Sequence, residues 1–245
     1  MNAPFGTKLA AVAYESLRTA ILGGGLPPGT PLSRRRLAEE LGMSAVPVGD
    51  AFGRLEGEGL VESRPRAGTR VRIATAEEIH GNYVLREALE THSARLFAES
   101  ARPADCERLV RAAERVDMAY NALALARRYS PSRRARVERS HIDFHMLIAK
   151  AAGVPVLTNA IERSRVLLFN WVFTATAAFE ALPERWHRDL AEVLVNGPAD
   201  DAARAMRAHV RFRQEEVIAR FRALAVEPAA SSRMTRGPRR GAARG

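Results

Sequence analysis

One cysteine in 245 residues, Cys106, excludes an internal disulfide, gives no support for a thiolate metal site and suits a reducing cytosol. Cys106 reads as filler. Long hydrophobic runs are also missing. The longest apolar stretch, Val166 to Phe179, is broken by Asn170, Thr174 and Thr176 and is too short to span a bilayer. No N-terminal stretch combines a basic region, an apolar core and a small-residue cleavage site, so a cytoplasmic location and no membrane partner are expected. Internal repeats are absent. Acidic residues are scarce at both ends: residues 1–75 hold ten Lys/Arg against seven Asp/Glu, and residues 228–245 hold five against none. A basic N-terminal segment points to a polyanion partner, beside the plainer reading of a solvated basic face. With 47% apolar and 27% charged residues, the chain suits a soluble protein of one large or two modest domains.

Apolar residues at Ala10, Ala13, Tyr14, Leu17, Ala20 and Ile21 form the stripe of an amphipathic helix, which Gly23 to Gly25 and Pro27-Pro28-Gly29 end. Ser33 caps a short second helix that turns Leu37, Ala38 and Leu41 inward, and Gly42 breaks it. Ser44 caps a third, with Val48, Ala51, Phe52 and Leu55 at i, i+3, i+4 and i+7. The few residues between the second and third helices are the length that joins a helix-turn-helix. Leu60 to Ser63 and Thr69 to Ile73 read as two strands around Arg64-Pro65-Arg66-Ala67-Gly68, a small two-stranded wing.

Thr75 with Glu78 makes a capping box and marks a junction near Ile73-Ala74. About six helices follow, at roughly 76–100, 104–127, 133–152, 155–180, 184–195 and 199–224, with no strand-like alternation. The expected fold is therefore mainly α: a winged helix-turn-helix over 1–74, an all-α bundle over 75–227 and a basic, disordered tail over 228–245.

In Ser140-His141-Ile142-Asp143-Phe144-His145, two imidazoles leave one helix face a turn apart and can converge on one ion, or pack as satisfied core histidines. Asp143 lies about 200° around the helix from His145 and cannot join them. His92 shares a stripe with Leu85, Leu89 and Leu96 and reads as packing; His80 has no evident partner. Trp171 and Trp186 read as core or interface residues.

The stretch LSRRRLAEELGMSAVPVGDAFGRLEGEGLVESRPRAGTRV resembles the winged helix-turn-helix of the GntR family of bacterial transcription regulators. The helices after it resemble the FCD effector domain of the FadR-type subfamily. Leu37-Ala38-Glu39, Leu41-Gly42, Ser44, Pro47-Val48, Ala51, Leu55 and Glu58-Gly59-Leu60-Val61 fall where the family pattern puts them. The resemblance implies a ligand-responsive regulator, not an enzyme, that grips double-stranded operator DNA as a homodimer.

The recognition helix departs from the pattern. Where the family usually carries arginines on its outward face, this chain has Ala45, Gly49 and Gly53, so its operator should differ. Arg35 matches a DNA-contacting position; Arg34, Arg36, Ser44, Arg54, Arg64, Arg66 and Arg70 are the remaining candidates, most of them for phosphates. A winged helix that has lost DNA binding and serves as scaffold is the alternative.

FCD domains that bind metal use an Asp and a His one turn apart and one His from each of two later helices. His145, His187 and His209 carry over, while His141 stands in the aspartate position. An all-imidazole set favours zinc, nickel, copper or iron over magnesium and calcium, with zinc and nickel foremost. Replacing a carboxylate by a neutral ring leaves the site one charge more positive, which should favour a small carboxylate effector. The alternative is a polar pocket of hydrogen-bonded histidines. Arg86 resembles an arginine that faces the effector pocket, although an ion pair within its helix is an equal reading; Asn82 and Glu90 share its face, and Arg163 or Arg165 could line the far wall. Two competing functions remain at this stage. One is a metal-dependent enzyme, which the lack of a His-Glu-x-x-His glutamate disfavours. The other is a regulator for which the metal itself is the signal.

Overall fold

A computed structural model describes residues 5–126, 130–164, 182–212 and 214–226. Helix α1 (Phe5–Leu22) lays Ala13, Tyr14, Leu17, Ile21 and Leu22 on the apolar face of α3 (Ala45–Gly57), which offers Val48, Ala51, Phe52 and Leu55. Between them, α2 (Arg34–Glu40) is capped as expected: the Ser33 hydroxyl accepts from the Arg36 N–H. Ser44 sits at the N-cap of α3 in an extended conformation, but its side chain makes no capping hydrogen bond.

The wing differs from expectation by one strand. β2 (Val61–Arg64) and β3 (Gly68–Val71) form the antiparallel pair, and β1 (Pro31–Leu32) adds to the other edge of β3. Two residues starting with proline carry no alternation to read, and proline is tolerated at a sheet edge because its missing N–H costs no ladder bond there.

The capping box forms as read: the Thr75 hydroxyl accepts from the Glu78 N–H, while the Glu78 carboxylate accepts from the Thr75 N–H. It opens α4 (Ala76–Ser100), followed by α5 (Pro103–Ala124), α6 (Pro131–Ala151) and α7 (Pro155–Ser164). The expected continuation of that last helix to residue 180, and with it Trp171, lies outside the described residues, as does the tail. Helix α8 (Trp186–Asn196) and α9 (Ala199–Arg211) follow, then α10 (Gln214–Val226). The expected single helix over 199–224 is therefore two. Phe212 leaves helical geometry (φ −55°, ψ 125°), and its ring lies 4.4 Å from that of Trp186. Val210 and Val217 are buried seven residues apart, so the periodicity runs through the break unmarked.

Two large apolar clusters result among the described residues, beside a small third one of Met146, Ala149 and Ile161. One is built from α4, α5, α6, α8, α9 and α10; the other from the winged helix. Val137 of α6 belongs to the second cluster, with Ala119, Tyr120 and Leu123 of α5 packed against it. Gly23 allows this approach, because a Cβ there would stand 2.5 Å from the Pro131 Cα at the start of α6. Helix α6 thus touches the winged-helix half with its first turns and carries histidines in its later ones.

Candidate metal centre and DNA-facing surface

Arg134, Glu138, His141 and His145 are all buried on α6, at i, i+4, i+7 and i+11, along one helix face. His187 in the first turn of α8 and His209 near the end of α9 meet the last two. The four imidazoles offer nitrogens that all lie within 4.8 Å of one another, and the His141 and His145 Nε2 atoms are 3.1 Å apart. Asp143 is exposed, as its helical angle requires.

Two buried carboxylates hold these rings: Glu90, expected from the sequence only to share the face of Arg86, and Asp117, which the sequence does not single out. Asp117 of α5 accepts from the His187 backbone N–H at 3.0 Å and lies 2.8 Å from His187 Nδ1, with the Arg188 N–H on its other oxygen. That fixes the ring so that Nε2 faces the cluster. Glu90 of α4 lies 2.5 Å from His145 Nδ1, while its other oxygen accepts from Arg86 Nε at 2.7 Å. Burial alone would raise both carboxyls. The Arg86 charge and His145 outweigh it and bring Glu90 down to about 2, and hydrogen bonds from His187 and Arg188 hold Asp117 low. Both are anions at neutral pH.

The rings are the reverse case. Burial first, then the neighbouring imidazoles, pushes His141 and His209 well below the usual histidine range; burial also lowers His187 against the pull of Asp117. Neutral imidazoles are what a metal ligand requires. His187 Nε2, His209 Nδ1 and His141 Nδ1 are buried without a hydrogen-bond partner. Each such atom costs about 1–3 kcal/mol if nothing takes its lone pair or proton. A divalent transition ion is a chemistry that satisfies several at once, so the donor set fits a metal. Aromatic rings wall the cluster: Trp186 stacks on His209 at 5.2 Å, and Phe144 lies 5.4 Å from both His145 and His187. Tyr120, half-buried, adds a phenol whose ring lies 5.6 Å from that of His187, and desolvation raises its pKa.

Of the expected effector residues, Asn82 and Arg86 are buried on α4, and Arg86 makes the intra-helix ion pair with Glu90. Arg163 is exposed on α7, and Arg165 lies outside the described residues. His92, expected to pack, is exposed; the inward face of α4 instead carries Ile79, Asn82, Tyr83, Arg86, Glu90, Ser93, Ala94 and Phe97. A face with four polar members does not show as an apolar stripe. Arg134 was also missed, and only its spacing ahead of His141 could have signalled it.

The candidate DNA contacts are not equivalent. Arg35 and Arg36 face Glu39 at 3.8 Å and Glu40 at 2.7 Å. Arg70 and Arg64 share Glu62, at 2.5 and 3.4 Å. Arg54 lies over the Tyr14 ring at 3.7 Å and helps tie α3 to α1. Arg66 stands at the wing tip with φ 64°. The Ser44 hydroxyl, not used as a cap, is exposed.

Two family models match the chain: the gntR family of bacterial regulatory proteins over residues 9–71, and the FCD domain over residues 82–212. The HTH-type transcriptional repressor RspR of Escherichia coli K12 is 25% identical over 219 residues, covering 83% of this chain and 86% of its own. A probable D-xylose utilization operon transcriptional repressor of Paenarthrobacter nicotinovorans is 36% identical over 94 residues, 38% of this chain and 42% of its own. Among solved structures, a putative GntR regulator from Rhodococcus sp. RHA1 superimposes with a TM-score of 0.62 at 19% identity, covering 91% of this chain and all of the other. Escherichia coli McbR/YncC does so with a TM-score of 0.58 at 21% identity, covering 92% of this chain and all of its own. These relatives are regulators, not enzymes, and the chain belongs to the GntR family of bacterial transcriptional regulators, with a winged helix-turn-helix for DNA and an FCD domain behind it.

Proposed function

We propose that this regulator binds operator DNA as a homodimer through residues 1–74 and is controlled by a small organic acid bound beside a metal in residues 75–227. The observation that carries this reading is the set of four buried histidines, drawn from three helices, with nitrogens within 4.8 Å of one another. Zinc or nickel suits it best. A bound ion would supply a Lewis-acidic centre that draws in an anionic oxygen. Arg86 and Asn82, buried on α4, offer guanidinium and amide donors for a carboxylate. Glu90 and Asp117 keep His145 and His187 in place. A homodimer is supported by apolar side chains left exposed on α4, Val84 at 55% and Leu85 at 41%.

Helix α6 supplies the route between the two halves. The same helix holds His141 and His145 and places Val137 in the winged-helix core and Glu138 3.8 Å from Arg18 of α1. A ligand that shifts α6 by a fraction of a turn therefore shifts the recognition helices.

The test is the affinity of metal-loaded protein for its selected operator across a panel of small carboxylates. The wild type should respond to at least one, and His187→Ala to none while binding DNA within a few-fold of the wild type. Loss of DNA binding in His187→Ala would make the histidines structural. A second reading has the metal alone as signal, favoured by a donor set of four, which can close a tetrahedral ion without an open position. Operator affinity that follows zinc or nickel with no carboxylate present would select it.

A further inference from the structure

We infer that Arg34, seated over Gly49 of the recognition helix, is the side chain through which this regulator reads a guanine, in place of the arginines its recognition helix lacks. Ala45, Gly49 and Gly53 share the outward face of α3 at i, i+4 and i+8. The two glycines are not alike. An added Cβ at Gly53 would meet nothing within 4 Å, whereas at Gly49 it would meet the Arg34 guanidinium, with Cζ at 3.3 Å and Nε and Nη1 at 3.4 Å. The space left by the missing side chain is filled by an arginine from the preceding helix.

Charge separates Arg34 from its two neighbours on α2. Arg35 and Arg36 have glutamates four residues on, Glu39 and Glu40, and pair with them. Four residues beyond Arg34 is Ala38, which is buried, and among the described residues no carboxylate lies within ion-pairing distance of Arg34. Its guanidinium is exposed, uncompensated and laid across the backbone of α3. A recognition helix of this fold enters the major groove, with flanking elements on phosphates. A guanidinium on its outward face therefore reaches base edges, where a planar fork takes guanine O6 and N7 together. Glycine at position 49 costs the helix about 1 kcal/mol against alanine, and the room it gives Arg34 accounts for its presence.

The experiment is selection of bound sequences from a pool of random duplexes by the full-length protein, by Arg34→Lys and by Gly49→Leu, with thermal unfolding of each. Leucine at position 49 suits a helix and occupies the space of the guanidinium. Lysine at position 34 keeps the charge without the fork. Both variants should lose preference for the same guanine by about 5- to 150-fold, with unfolding midpoints at or above that of the wild type for Gly49→Leu. Binding to random duplex, and its salt dependence, should stay within two-fold or so for Arg34→Lys. An unchanged consensus in Arg34→Lys would make Arg34 a phosphate contact and overturn the inference. So would an unchanged consensus in Gly49→Leu, or the absence of any enriched sequence with the wild type.

Discussion

The winged helix and the helical bundle bury different things. Beneath α1, α2, α3 and the wing the enclosed side chains are Ala, Leu, Ile, Val, Phe and one Tyr. Among the described residues, every buried polar or charged side chain belongs to the bundle, from Asn82 of α4 to His209 of α9. Buried charges are held by partners at a net cost, since apolar residues of similar volume are often as stabilising or more so. The winged helix is thus built to be a rigid reader, and its chemistry lies outside, on arginines. The bundle gives up apolar packing to keep four imidazoles, four carboxyl groups and two guanidiniums out of water, and the part of that set gathered around the histidines has the composition of a binding site.

Substitutions that separate these two economies sharpen the contrast. The largest effect is expected at His187, which is fully buried: His187→Ala should abolish response to metal and effector, read as operator affinity with and without both, while the winged helix keeps its grip on DNA. Next is the apolar side. Leu55, fully buried under α3, should cost about 2–5 kcal/mol when cut to alanine. Urea unfolding would show it, and metal content should not change. Asp117→Asn removes the carboxylate behind His187, and metal affinity should fall by about 10- to 100-fold. A competition titration with a chromophoric chelator measures that drop. An Asp117→Asn protein with full metal affinity but lower stability would place Asp117 with the scaffold.

The smallest effect concerns the seam. Burial raises the Glu138 carboxyl from 4.5 to about 7, although Arg18 draws it down. The folded chain then holds a proton that the unfolded chain releases, so stability falls as pH rises from about 4.5 to about 7 and stays lower above. Glu138→Gln should therefore exceed the wild type in urea midpoint at pH 8 and match it at pH 4. A gap that persists unchanged at pH 4 would remove Glu138 as its cause.

The same contrast explains what could be read in advance. The winged helix was legible almost throughout, because apolar periodicity, the Ser33 cap and the turn glycines act locally. Most bundle helices were legible too, down to the Thr75–Glu78 capping box. The four histidines were named from one helical spacing and a family pattern, and the structure brings them together. What holds them was not legible as such. Glu90 and Asp117 lie on other helices, 55 and 70 positions from their histidines; the helical spacing puts Glu90 on the face of Arg86 but does not tie it to His145, and nothing local marks Asp117. The polar inward face of α4 likewise hid which side was buried and led His92 to be read as packing. Helix α9 ends at Arg211 under a periodicity that continues, and Gly49 acquires a meaning only when Arg34 lies over it.

The central claim is that His141, His145, His187 and His209 hold one metal ion. The most direct measurement is elemental analysis by mass spectrometry of purified, tag-free protein beside His141→Ala and His187→Ala. About one zinc or nickel per chain in the wild type, lost in both variants, is the predicted result. No metal in the wild type, even after incubation with zinc and with nickel, would contradict it and leave the four imidazoles as the lining of an organic-ligand pocket.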